Sequence, residues 1–116
     1  MGRGESKNNG HWKEEREMSY SIELHPEAFK ELQASYNWYE ERSEGLGDRF
    51  MALVNKRLNE IAANPDRYAK HKGNYRETKV STFPYVIVYE VLKKKQIIFI
   101  SYIFHTKRSP KLKYRR

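Results

Sequence analysis

One histidine and four cations in the C-terminal half carry side chains able to act on a phosphodiester bond. Cutting an RNA strand needs a base for the 2′-hydroxyl, an acid for the leaving 5′-oxygen, and cations to hold the charge that builds on phosphorus. His105 titrates near neutrality and so can exchange a proton. Arg76, Lys79, Lys107 and Arg108 are candidates for the cations. Each also has an ordinary reading. A histidine at a strand terminus packs its ring and hydrogen-bonds a backbone group, Arg76 is equally a solvated strand residue, and Lys107 and Arg108 open a charged terminus. Arg76 and Lys79 stand three apart in an extended segment, so they need not share a face.

Other chemistries are set aside more directly. The chain has no cysteine, which removes disulfide frameworks, thiolate zinc sites and cysteine nucleophiles. His25, His71 and His105 lack metal-ligand spacing, and no metal or cofactor is expected. Gly45-Leu46-Gly47 lacks the third glycine of a phosphate-cradling loop and joins two helices, so it reads as a helix stop and turn. Glu40 and Glu41 point about 100° apart on a helix and do not form an acid/base pair. Tyr36, Trp38 and Tyr39 are a possible stacking platform, but Tyr36 and Tyr39 fall on an apolar stripe and are expected in the core.

These groups must be positioned by one domain, since 116 residues suffice for a single core. Charge is unevenly spread. Residues 1–26 carry net −1 and residues 27–65 net −2, whereas residues 66–116 hold 14 basic against 3 acidic side chains, a net of +11. Such asymmetry points to an acidic partner, either nucleic acid or an acidic protein segment. No apolar run approaches the roughly 20 residues of a membrane helix, and no secretory signal is apparent. The expectation is a cytoplasmic protein with no membrane partner.

Residues 1–18 mix glycine, asparagine and charge, and are expected to form a disordered extension, with Met18 an alternative start. Tyr20 to Leu24 alternates apolar and polar as a strand with one buried face. Pro26 suits the first turn of a helix, in which Phe29, Leu32, Tyr36 and Tyr39 form a stripe. Gly45 supplies a left-handed stop. A second helix carries Leu46, Phe50, Leu53, Leu58 and Ile61 on one side and ends at Asn64-Pro65. A basic loop over Lys70–Gly73 leads to a strand from Arg76 to Phe83. Tyr85–Val91 and Ile97–Phe104, dense in β-branched and aromatic residues, form the sheet centre, joined by a polar connection over Lys93–Gln96. The order β-α-α-β-β-β predicts an α+β domain over residues 19–110, an antiparallel sheet of about four strands with a helical hairpin packed on one face. Residues 111–116 form a basic tail.

Several stretches together resemble the RelE/ParE superfamily of toxins, on the ParE-like branch described as plasmid stabilisation proteins. They are Tyr20-Ser-Ile-Glu-Leu-His-Pro-Glu-Ala28, Trp38-Tyr-Glu-Glu-Arg-Ser43, Gly45-Leu-Gly-Asp-Arg-Phe50, Asn64-Pro-Asp-Arg-Tyr68, Arg76, Phe83-Pro-Tyr85 with Tyr89, and His105 followed by Lys107, Arg108 and Pro110. The resemblance implies a growth-inhibiting toxin of a type II toxin–antitoxin system, neutralised by a cognate antitoxin whose partly disordered segment wraps it. One branch of the superfamily cleaves messenger RNA in the ribosome; another inhibits DNA gyrase without being an enzyme.

The residues lean toward the second branch. RNA-cleaving members carry an arginine directly after the tyrosine that opens the central strand, where this chain reads Tyr85-Val86. A valine cannot stabilise a phosphorane. Three readings follow: a non-enzymatic toxin that binds a macromolecular target such as gyrase; a ribosome-dependent endoribonuclease using His105 with Arg76, Lys79, Lys107 and Arg108; and a degenerate relative that only binds antitoxin or nucleic acid.

Overall fold

The computed structural model describes residues 19–107. The extension over 1–18, Arg108 and the tail over 111–116 lie outside the described residues. Strand β1 (Ser21–Leu24) leads into helix α1 (Pro26–Arg42), then helix α2 (Leu46–Ala63), and four further strands follow: β2 (Lys70–Lys72), β3 (Tyr75–Lys79), β4 (Tyr85–Leu92) and β5 (Ile97–His105). They form one sheet in the order β1-β5-β4-β3-β2.

Local chemistry sets the helix ends where expected. Pro26 occupies the first turn of α1, and the His25 imidazole caps it by accepting the Glu27 N–H through Nδ1 at 3.0 Å. Gly45, at φ +88°, turns the chain into α2, a conformation that costs glycine least. The Glu40 carboxylate reaches across this turn and accepts the N–H groups of Gly45 and Gly47, each at 2.8 Å. Gly47 has no room for a side chain, because a Cβ there would lie 2.7 Å from the Tyr36 carbonyl oxygen.

The hydrogen bond from Gly45, aided by those from Gly47 and Asp48, holds the Glu40 carboxyl below the usual carboxylate range against the opposing effect of desolvation. Its contribution to stability is therefore present above the unfolded-state value of about 4.3 and is lost as pH falls through the lower folded value. Glu40→Gln should lower the melting temperature at neutral pH and flatten the loss of stability in the acid range. A series of melts between pH 2 and 7 checks this. An unchanged slope in acid would mean that the carboxylate does not hold the turn.

The sheet differs from the expectation in two respects. It has five strands, because Lys70–Lys72 pairs antiparallel with β3 in place of an open loop. It is also mixed: β1 runs parallel to β5, with Ser21 opposite Ile97 and Leu24 opposite Ile100, while the other pairs are antiparallel. Pairing by backbone alone lets the wholly exposed Lys-His-Lys segment be a strand without an apolar residue.

Alternation along β4 sends Tyr85, Ile87 and Tyr89 to the helix side, where they pack with Phe50, Val54 and Ile61 of α2 and with Ile98, Ile100 and Ile103 of β5. Val86 and Val88 face the other way and cluster with Tyr102, Phe104 and Tyr75. In β5 the parity changes partway. Val88 pairs with Tyr102 and Tyr89 with Ile100, so Ser101 is an extra, bulged residue. Beyond it Ile103 and His105, instead of Tyr102 and Phe104, face the helices.

The buried stripe of α1 is Ala28, Leu32, Ser35 and Tyr39, one step round the helix from the expected set. Phe29 is 49% exposed, and Tyr36 lies on the flank, donating its hydroxyl to Asp48 Oδ1 at 3.0 Å. That bond, more than burial, pushes the Tyr36 hydroxyl pKa up. Trp38 is also on the surface, with the Arg42 guanidinium 3.4 Å from its ring centroid. Three aromatic side chains within four residues of a helix cannot all share one stripe, and Tyr39 takes the core position.

Candidate interaction surface

Strand β1 ends opposite Ile100, where the His25 N–H donates to the Ile100 carbonyl at 2.9 Å. From Ser101 onward no strand among the described residues pairs with that side of β5, and α1 passes over it instead. The gap is a cleft of about 280 Å³. Glu31, Ala34, Ser35 and Trp38, spaced to share one flank of α1, form one wall; Tyr85, Ile103, Phe104 and His105 form the other. Within it the Tyr85 hydroxyl donates to Ser35 Oγ at 2.7 Å, and the Ile103 N–H donates to Glu31 Oε1 at 3.3 Å. An otherwise unpaired edge N–H is thereby met by a carboxylate.

His105 lies at the mouth of this cleft, edge-on to Tyr85 with ring centroids 5.3 Å apart. Its Nδ1 accepts the Lys107 N–H at 3.1 Å, which leaves Nε2 to carry the proton of the neutral ring. The chain thus brings His105 and Lys107 together. Lys79 lies elsewhere: it pairs with Val86, which pairs with Phe104, so it belongs to the sheet face away from the helices.

Arg76 pairs with Tyr89 at the other end of the sheet and points to the helix side. Its side chain is only 12% exposed. It donates through Nη1 to the Tyr68 carbonyl at 2.6 Å and through Nη2 to Asp66 Oδ1 at 3.0 Å. Lys93 reaches the same carboxylate at 3.4 Å, and the Tyr89 hydroxyl, its pKa pushed up to about 12 chiefly by burial, donates to the Pro65 carbonyl at 3.3 Å. Arg76 therefore ties the segment after α2 to the sheet.

The face away from the helices is mixed in charge. Lys79 stands at one end of it, and Glu77 and Glu90 share it farther along, with His71 Nδ1 3.9 Å from Glu77 Oε1. Tyr75 sits among them, its hydroxyl pKa raised by burial first and then by the Glu90 charge. Among the described residues no group of histidines and carboxylates is arranged to hold a metal ion, and no helix is long and apolar enough to cross a membrane.

The sequence does not single out Glu31 and Ser35 as cleft partners of His105, because both are polar, and Trp38 reads there only as a neighbour of Tyr36 and Tyr39. Their spacing on a second flank of α1 was the available signal.

A two-helix hairpin packed on one face of a five-stranded mixed sheet is the fold of the RelE/ParE toxins. An E. coli RelE toxin mutant in the free state superposes with a TM-score of 0.62 at 23% identity, covering 80% of this chain and 90% of that one. The chromosomal ParDE toxin–antitoxin system from P. aeruginosa gives 0.64 at 14% identity, over 76% and 97%. The intact E. coli RelBE toxin–antitoxin complex gives 0.55 at 17%, over 78% and 100%. Comparison with curated protein sequences returned no match. The profile of the family described as ParE toxin of type II toxin–antitoxin system, parDE, matches residues 22–110. This chain belongs to that family of toxins.

Proposed function

We propose that this chain arrests growth by binding a macromolecular target, DNA gyrase, and not by cutting RNA. The observation that carries this reading is the surroundings of Val86. It is buried beside Phe104, at the position after Tyr85 where the resemblance to RNA-cleaving members implies an arginine. Lys79 is the cation paired directly with it, and Glu77 and Glu90 on the same face would repel a phosphodiester. A developing phosphorane would find little support there.

A cognate antitoxin is the second partner, as in the RelBE and ParDE assemblies. The α1–β5 cleft suits an antitoxin segment: its walls are largely apolar, and among the described residues no other strand pairs with that side of β5 beyond Ile100. In this reading His105 and Lys107, followed in sequence by Arg108, form the basic rim that meets an acidic segment.

Brief induction of the chain in bacteria should stop growth and produce double-strand DNA breaks while translated transcripts stay whole. Transcripts cut within codons would overturn the proposal in favour of a ribosome-dependent endoribonuclease drawing on His105, Arg76, Lys79, Lys107 and Arg108. Undisturbed growth would identify a folded relative that has lost its toxicity.

A further inference from the structure

A second concavity, sharing no residue with the His105 cleft, lies beside α2. Leu53, Lys56, Arg57 and Glu60 share one flank of that helix and face Arg67, from the segment after α2, and Ser81, from the bend after β3. The cleft encloses about 240 Å³, and Leu53 is its one apolar lining residue. Its charge is unbalanced, with three cations against the single carboxylate of Glu60.

The cations are not neutralised from elsewhere in the described residues. Glu60 approaches Arg57 at 3.4 Å, through Nη1, and the same nitrogen donates to the Tyr68 hydroxyl. The remaining guanidinium nitrogens of Arg57 have no such partner among the described residues. Lys56 and Arg67 are exposed and form no ion pair with a described residue. Both arginines lie against one ring, with guanidinium carbons 5.4 and 5.6 Å from the Tyr68 centroid. Two guanidiniums, which do not lose their charge in a protein, are thus held around one tyrosine, a cost that a bound anion would remove.

We propose that Lys56, Arg57, Arg67 and the Ser81 hydroxyl form a binding site for a phosphate group. A tetrahedral oxyanion offers oxygens in several directions, matching two forked donors, a point charge and a hydroxyl. A planar carboxylate would satisfy fewer of them. The volume suits a phosphate with part of the group it esterifies, and falls short of the roughly 300–1,000 Å³ that encloses a drug-sized ligand. Its source is either a small phosphate or the backbone of a nucleic acid, for which the exposed Lys70, two residues beyond Tyr68, supplies a further contact.

The test is an NMR titration of the full chain with inorganic phosphate, with an unphosphorylated single-stranded oligothymidine, and with a glutamate-rich peptide. Either phosphate ligand should give saturable shifts at the Arg57 and Arg67 side-chain N–H groups and at the Ser81 amide. Lys56→Gln and Arg67→Gln, both at exposed positions, should each weaken binding about tenfold with melting temperature unchanged, while Lys30→Gln on α1 should not. Tighter binding of the oligonucleotide, with a salt slope that falls by about one in each variant, would identify a nucleic-acid backbone. Saturation by inorganic phosphate alone would identify a small phosphate. Absence of saturable shifts, affinities indifferent to both substitutions, or tighter binding of the acidic peptide at these residues would overturn the proposal.

Discussion

Phe50→Ala should cost about 3–5 kcal/mol, a large share of the 5–15 kcal/mol that holds an ordinary domain together. Phe50 is wholly buried and touches three aromatic neighbours: its ring centroid lies 5.2 Å from Tyr39, 5.2 Å from Phe83 and 4.9 Å from Tyr85. These residues come from α1, the bend before β4, and β4 itself, so one ring joins both helices to the sheet. Removing it leaves a cavity bounded by stiff side chains that collapse poorly. Urea unfolding should show the midpoint falling with little change in slope. A loss under about 1 kcal/mol would place the keystone of the core elsewhere.

The second large effect bears on how toxicity data are interpreted. Arg76→Ala should destabilise the chain by about 2–3 kcal/mol, because it removes two charge-assisted hydrogen bonds. The part owed to Asp66, whose side chain is 55% exposed, is weakened by solvent. The bond to the Tyr68 carbonyl is the larger share. Toxicity should fall in proportion to the folded fraction, and thermal melts beside growth assays check the proportion. A variant that melts normally yet is inert would restore Arg76 to the list of groups acting on a target.

Arg76 also illustrates how far the sequence was legible. Its type and neighbourhood suggested phosphate chemistry, but its partners Asp66 and Tyr68 are set by the path of the chain after α2. No local pattern encodes that path. Features that are local were readable: Pro26 and Gly45 mark helix boundaries through backbone preference, and Tyr85–Val91 and Ile97–Phe104 declare themselves central by β-branched and aromatic density. Features set by pairing were not. Nothing in Lys70-His71-Lys72 announces a strand, and nothing in Ser21–Leu24 says that its neighbour is the last strand, running parallel.

The site was legible to a similar depth. His105 and Lys107 are close because they are near in sequence. The side of the sheet on which His105 emerges depends on the bulge at Ser101, without which strict alternation would turn it away from α1. Glu31, Ser35 and Trp38 join it only because β1 stops at Leu24 and α1 crosses the remainder of β5.

The pairing of β1 with β5 has a consequence for how this toxin comes into being. A ribosome delivers Ser21–Leu24 well before Ile97–Ile100, so β1 has no strand to pair with until both helices and three other strands have emerged. The His105 cleft waits on the same event, since one wall belongs to α1 and the other is largely β5. A truncated or still-tethered nascent chain therefore presents helices without the completed surface. Emergence of β5, and not of the helices, is the step that completes this surface.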